Sequence, residues 1–246
     1  MTDQLSNIEQ FGYVPDHMHP DNTVAATYDD ALVVCWDLKN STQKIIAKGA
    51  TLDRFWEAQS IVLLIMSGSL RSIPPDVVTP TGDGFLMVFN LQRFIDPKNP
   101  GLKNTLRSAL PIVSGILWYQ DHRAEARPLT DGNGVTRLND YVTIVGSTMM
   151  DGRIGMARGM VAIHDCPSVR TGHWIAPVGM PIYIASRLCS MAPDGGLLIE
   201  TSVLPDGFTG DVKVPERLQA THENVEPKGY PDPVTVWRLA PKAEEC

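Results

Sequence analysis

Thr79-Pro-Thr-Gly-Asp-Gly-Phe-Leu-Met-Val-Phe89 is the stretch around which the rest of the chain is read. It joins a proline-bearing approach (Pro74, Pro75, Pro80) to an apolar strand through a Gly-Asp-Gly corner. Glycine accepts positive φ at little cost, so Asp-Gly between strand-like residues predicts a hairpin, with arms at Asp76–Pro80 and Gly84–Phe89. An aspartate in such a corner ordinarily makes an Asx-type turn bond and nothing more. A second acidic stretch upstream changes its meaning: Ala31-Leu-Val-Val-Cys-Trp-Asp-Leu-Lys-Asn-Ser-Thr42. There an apolar strand delivers Asp37 to its end, and a Lys-Asn-Ser-Thr loop follows. Two carboxylates on neighbouring strand ends, beside a loop of small polar residues, suit a divalent metal and phosphate.

Composition narrows the partners. At 246 residues the chain is long enough for one large domain or two small ones, with a substantial core. Lys and Arg total 21 against 28 Asp and Glu, a net charge of −7, and no basic tract occurs. A nucleic-acid polymer is therefore not an expected partner, and a small anionic ligand would need metal or a local cation. Cys35, Cys166, Cys189 and Cys246 lie far apart without Cys-x-x-Cys spacing, which argues against a zinc knuckle or a disulfide scaffold. The amino terminus is polar and acidic, unlike a signal peptide. The apolar run Ile61–Met66 is too short to span a bilayer. The expectation is a soluble cytoplasmic protein with no membrane partner.

Met1 to Thr27 holds Gly12, Pro15 and Pro20 without sustained periodicity and reads as an arm or an irregular cap, preceding a domain over residues 28–241. His17 and His19 in it are either a metal pair or part of a solvated loop; no Cys or Glu partner stands nearby. Ala31–Trp36 is an apolar, β-branched run consistent with a strand buried on both faces. Ser41 to Ser67 reads as a helix with Leu52, Phe55, Ile61, Leu64 and Ile65 on its apolar stripe. Phe55 and Trp56 could stack on a base, although core packing explains them as well. Leu102 to His122 reads as a second helix, and Arg123–Asp140 as a polar loop or small hairpin around Asp131-Gly-Asn-Gly134. Tyr141–Ser147 and Arg153–His164 read as strands, Cys166–Trp174 as a turn-rich excursion and Gly179–Ala192 as a helix. Leu197–Glu200 is a further strand, and a final one closes the tail. This order predicts one α/β sandwich, helices packed on a mixed sheet.

Five stretches in order resemble the catalytic domain of class III nucleotidyl cyclases, the family of adenylate and guanylate cyclases. They are Val33-Val-Cys-Trp-Asp-Leu-Lys-Asn-Ser-Thr42, Thr81-Gly-Asp-Gly-Phe-Leu-Met-Val-Phe89 and Gly152-Arg-Ile-Gly-Met-Ala-Arg-Gly159. The others are Gly179-Met-Pro-Ile-Tyr-Ile-Ala-Ser-Arg-Leu188 with Met191-Ala-Pro-Asp-Gly-Gly196, and Pro227-Lys-Gly-Tyr-Pro-Asp-Pro-Val234. The resemblance implies a ferredoxin-like α/β (α+β) domain, its mixed sheet mostly antiparallel, active as a head-to-tail homodimer with composite sites. It implies that Asp37, Asp83 and the Leu38 carbonyl hold two divalent cations, Mn²⁺ or Mg²⁺. Asn40, Ser41 and Thr42 would cradle the triphosphate with Lys228, and Arg187 would contact the phosphoryl group in transit. On its own helix Arg187 is either a snorkelling surface residue or a purposeful cation. The chemistry agrees with the implied roles: attack of a ribose 3′-hydroxyl on the α-phosphorus needs metal and a cation against the developing charge.

The departures from the family are informative. Thr79 stands where purine cyclases carry a base-reading lysine, Ala176 where they carry an aspartate, and Tyr183 where they carry an asparagine. Tyr183 and Arg187, four apart, share a helix face. Metal and phosphate positions are thus kept while base and ribose positions change, as in the bacterial pyrimidine cyclases of anti-phage signalling. This similarity implies a uridylate cyclase, UTP being the substrate with CTP as the alternative. An adenylate or guanylate cyclase and a non-catalytic nucleotide-binding module are the other readings.

Overall fold

The computed structural model describes residues 24–38, 70, 73–94, 105–122, 152–168, 172–208 and 212–242. Strand β1 (Val24–Asp37) lies inside the sheet, antiparallel to β3 (Phe85–Asn90) on one side and to β4 (Arg153–Ser168) on the other. Its second half is the apolar run, and alternation sends its side chains to two different cores. Leu32, Val34 and Trp36 pack with Ile112, Val113 and Ile116 of helix α1 (Thr105–His122). Ala31, Val33 and Cys35 pack with Ile184, Ala185 and Leu188 of helix α2 (Met180–Met191). A strand covered on both faces has no use for polar alternation, hence its continuous hydrophobicity. Full burial of a side chain such as Leu32 or Val34 contributes about 1.5–3 kcal/mol.

Among the described residues the sheet has eight strands, ordered β2-β3-β1-β4-β6-β8-β7, with β5 paired to β4 off this path. The remaining strands are β2 (Val77–Pro80), β5 (Gly172–Val178), β6 (Leu197–Glu200), β7 (Leu218–Val225) and β8 (Val234–Pro241). Among these strands the β4–β6 pair is parallel and the other pairs are antiparallel. This is the mixed, mostly antiparallel sheet with packed helices that the sequence leads one to expect. Helix α2 comes close to β4 at Gly155, where a Cβ would meet the Ala185 carbonyl and the Cys189 amide.

Three differences from the sequence reading stand out. Strand β1 begins at Val24, so the end of the stretch read as an arm is strand, with register irregularities at Val24/Ala26 and Tyr28/Ala31. The turn-rich excursion at Cys166–Trp174 is instead the top of a β4–β5 hairpin, in which Cys166 opposes Trp174. Strand β7 has no counterpart in the sequence reading; its burial is confined to Leu218, Val225 and partly buried residues between them, so its apolar signal is weak. The helix expected over 41–67, the strand over 141–147, the region 123–140, and His17, His19, Phe55 and Trp56 lie outside the described residues.

Candidate active site

Strand register brings the two aspartates together. Asp37 is the last residue of β1, and Trp36 before it pairs with Phe85, the first residue of β3. Asp83, two residues before Phe85, must therefore leave the sheet at the same end. Trp36 and Phe85 stack with centroids 5.1 Å apart and planes 13° from parallel, which fixes that register. The two glycines of the corner have separate tasks. Gly82 takes φ +83°, a left-handed conformation that strains other residues. Gly84 lies against the end of β1, where a Cβ would collide with the Trp36 carbonyl. The turn closes through the Thr81 amide on the Gly84 carbonyl at 3.0 Å.

The carboxyl groups of Asp37 and Asp83 are within hydrogen-bonding reach of each other. Burial, then the charge and hydrogen bond of Asp83, push the Asp37 carboxyl up to about 6, against the opposing pull of Arg153. Arg153, first residue of β4 and cross-strand partner of Asp37, donates from Nη2 to Asp37 Oδ2 at 2.8 Å and from Nη1 to the Ser190 carbonyl at 2.9 Å. The pair is largely shielded, with side chains 12% and 27% exposed, so it orders Asp37 more firmly than a surface ion pair would. Arg153 is a site residue that the sequence reading missed. The only signal was an arginine opening a strand that pairs with β1, and the pairing is invisible without the fold. Leu38, next in the chain, is 3% exposed, so this sheet end combines apolar walls with acidic groups.

Among the described residues no group of three or more His, Cys, Asp and Glu side chains gathers to cage a metal. Two adjacent carboxylates are nevertheless a fitting donor set for Mg²⁺ or Mn²⁺, which take one or two carboxylates and complete their shell with water and substrate phosphate. Burial first, and the neighbouring Asp83 charge second, raise the Asp37 carboxyl, and a cation between the two carboxylates would offset both, adding to the pull of Arg153.

A second group forms on α2 and the loop before β8. Arg187 Cζ lies 5.2 Å from the centroid of the Tyr183 ring. The Tyr183 hydroxyl donates to the Lys228 carbonyl at 2.6 Å, and its ring lies 6.4 Å from that of Tyr230. Lys228 is exposed. Tyr183 and Arg187, four apart on α2, thus meet the Lys228 backbone, 45 residues from Tyr183 in sequence, and are joined by Tyr230, which the sequence reading did not single out. Thr79 sits on β2 with a buried hydroxyl that has no hydrogen-bond partner. Ala176 sits on β5 opposite His164, and β5 approaches β2. Asn40, Ser41 and Thr42 lie outside the described residues.

No protein-family model and no curated protein sequence matches the chain. Solved structures do. The guanylyl cyclase Cya2 superposes with a TM-score of 0.60 at 18% identity, over 88% of this chain and 94% of that one. The adenylyl cyclase CyaB from P. aeruginosa gives 0.60 at 15% identity, over 90% and 99%. The guanylate cyclase domain of RhGC from Catenaria anguillulae, solved in complex with GTP, gives 0.57 at 15%, over 89% and 100%. The chain is therefore similar, along nearly its whole length, to class III adenylyl and guanylyl cyclase catalytic domains, and it has their fold. No helix among the described residues is long and apolar enough to cross a membrane.

Proposed function

We propose that this protein is a nucleotidyl cyclase that converts UTP to 3′,5′-cyclic UMP and pyrophosphate. The observation that carries the reading is the meeting of Asp37 and Asp83 at one sheet end, in a fold shared with adenylyl and guanylyl cyclases. Asp37, Asp83 and the Leu38 carbonyl would hold two divalent cations, Mn²⁺ or Mg²⁺. When bound, these supply a lowered pKa for the attacking hydroxyl and charge neutralisation along the triphosphate. Arg153 keeps the Asp37 carboxylate turned toward the site. The ribose 3′-oxygen attacks the α-phosphorus, its proton passes to solvent, and the bond to the β-phosphate oxygen breaks to release pyrophosphate. Arg187 meets the charge that grows on the α-phosphoryl oxygens, while Lys228 and the Asn40–Thr42 amides hold the departing phosphates.

The pyrimidine half rests on Thr79, Ala176 and Tyr183. None offers the lysine–aspartate pair that reads a purine edge, and the Tyr183 ring fills space an asparagine would leave open. One lost polar contact to a base edge is worth about 1–3 kcal/mol, enough for about five- to 150-fold selectivity. Between the pyrimidines, UTP is the primary assignment and CTP the alternative. Resemblance to bacterial pyrimidine cyclases further suggests that the product is a second messenger in anti-phage defence.

We take the active species to be a homodimer in which Tyr183 and Arg187 of one chain face Asp37 and Asp83 of the other. Exposed Met160, Val178 and Met180 at the junction of β4, β5 and α2 support this, because an apolar patch beside a site is economically covered by a second copy. The second reading, a purine cyclase with unusual base contacts, is favoured by the adenylyl and guanylyl activities of the structural neighbours. Incubation with each of the four ribonucleoside triphosphates and Mn²⁺, followed by product mass and pyrophosphate release, tests both readings. Cyclic UMP supports the proposal, and cyclic AMP or cyclic GMP alone supports the second. No product from any nucleotide, under conditions where the protein is folded and dimeric, would leave a nucleotide-binding module.

A further inference from the structure

The Tyr183 phenol has one O–H to donate, and it is committed to the Lys228 carbonyl at 2.6 Å. A hydroxyl so engaged cannot also donate to a base edge. The recipient lies in a tight turn whose Tyr230 amide bonds back to the Pro227 carbonyl at 3.0 Å. Gly229 in that turn adopts φ +82°, and a Cβ there would stand 2.7 Å from the Tyr183 hydroxyl oxygen. Tyr230 then lays its ring toward the Tyr183 ring, 6.4 Å between centroids and 37° between planes. The phenol is thus seated against the turn by a hydrogen bond, a glycine that makes room for it, and a neighbouring ring. The same ring also carries the Arg187 guanidinium, 5.2 Å from its centroid.

We infer that Tyr183 is a positioning residue for the triphosphate: its hydroxyl anchors the Pro227–Tyr230 turn and so places the Lys228 ammonium, while its ring seats Arg187. The inference rests on the proposed cyclase reading for the roles of Lys228 and Arg187, and it assigns the hydroxyl of Tyr183 to phosphate rather than to base. A lysine is a flexible, strongly hydrated point charge, and ordering its side chain on a phosphate costs conformational entropy. Fixing its backbone beforehand removes part of that cost. With its proton committed to the turn, the hydroxyl donates nothing to a base, so the base selectivity that Tyr183 imposes comes from ring volume and not from hydrogen-bond donation.

The test is a double-mutant cycle on the full chain with inorganic triphosphate and Mn²⁺ as the probe, read by calorimetry, with Tyr183→Phe, Lys228→Ala and the double variant. Lys228→Ala keeps the backbone carbonyl, so the hydrogen bond survives in it and only the charge is removed. Tyr183→Phe should weaken triphosphate binding about three- to tenfold, the scale of one hydrogen bond, and the loss should vanish in the Lys228→Ala background. The ratio of UTP to ATP turnover should stay unchanged in Tyr183→Phe. Gly229→Ala, which drives a methyl group into the hydroxyl, should reproduce the weaker binding and guards against an accident of one variant. Thermal midpoints confirm folding. Losses that add independently overturn the inference, as does a Tyr183→Phe chain with normal triphosphate affinity or altered base preference. A wild-type chain that binds no triphosphate also overturns it. A chain showing the predicted cycle but turning over no nucleotide would instead refute the cyclase reading and leave the positioning role standing.

Discussion

The end of β1 and the outer face of α2 assemble their functional groups by different means. At the end of β1, strand register does the work: Trp36 opposite Phe85 and Asp37 opposite Arg153 leave the acidic groups no other place to go. On α2, placement depends on side chains reaching into a loop, through the hydroxyl of Tyr183 and the backbone of Lys228. The first group is part of the sheet, and distorting it would disturb the core. The second is half-exposed and separable, so its residues can change without unfolding the domain. A fold built this way can keep its metal chemistry and vary its substrate, which is the pattern proposed here.

The sharpest way to break that contrast is at the sheet end. Asp37→Ala or Asp83→Ala should reduce turnover to background, because a lone carboxylate does not hold two cations. In Asp83→Ala the thermal midpoint of the metal-free protein should hold or rise, since a like charge beside Asp37 is removed, whereas Asp37→Ala also strips Arg153 of its largely shielded partner and should lower it; unfolding followed with and without Mn²⁺ checks both halves. On α2, Arg187→Ala should cost about a hundred- to a thousandfold in kcat, with little change in stability. Mixing Asp37→Ala with Arg187→Ala chains should restore part of the activity through one intact composite site. Heterodimers that form yet remain inactive would contradict shared sites. Gly84→Ala tests whether the sheet end is as rigid as claimed. The collision with the Trp36 carbonyl should lower stability by about 1–3 kcal/mol and displace Asp83, with activity falling in step.

The smallest effect is in pH. The Asp37 carboxyl stands at about 6 in the folded, metal-free protein against 3.8 as the ordinary value, so between these the folded state holds more protons than the unfolded one. Its stabilising contribution is full below 3.8 and is lost as pH rises through about 6. A cation competes with that proton. The rise in thermal midpoint on adding Mn²⁺ should therefore be larger at neutral pH than in acid, and Asp37→Asn should flatten the difference.

Much of the sheet end was legible in the sequence, because each aspartate adjoins a strong local signal: an unbroken apolar run for Asp37, a Gly-Asp-Gly corner for Asp83. The strand at Leu197–Glu200 was likewise legible. What was not legible depends on contacts between distant segments. The role of Arg153 exists only because β4 pairs with β1, and the tie between Tyr183 and Lys228 spans two elements with no shared periodicity. The β4–β5 hairpin was hidden by the turn-like stretch Cys166–Trp174, whose Pro167 opposes His173 across the hairpin. Strand β7 was hidden by the polar run Gln219–Asn224, whose apolar content is too sparse to mark a strand.

Specificity constants for UTP, CTP, ATP and GTP, measured on the wild-type protein with the same Mn²⁺ concentration, test the central claim most directly. The account predicts that UTP leads, that cyclic UMP and pyrophosphate appear in equal amounts, and that both purine nucleotides trail by at least about tenfold, the scale of one missing base contact. CTP ahead of UTP would overturn the choice of uracil alone. ATP or GTP ahead of both pyrimidines would contradict the account, since Thr79, Ala176 and Tyr183 would then not be the residues that set the base.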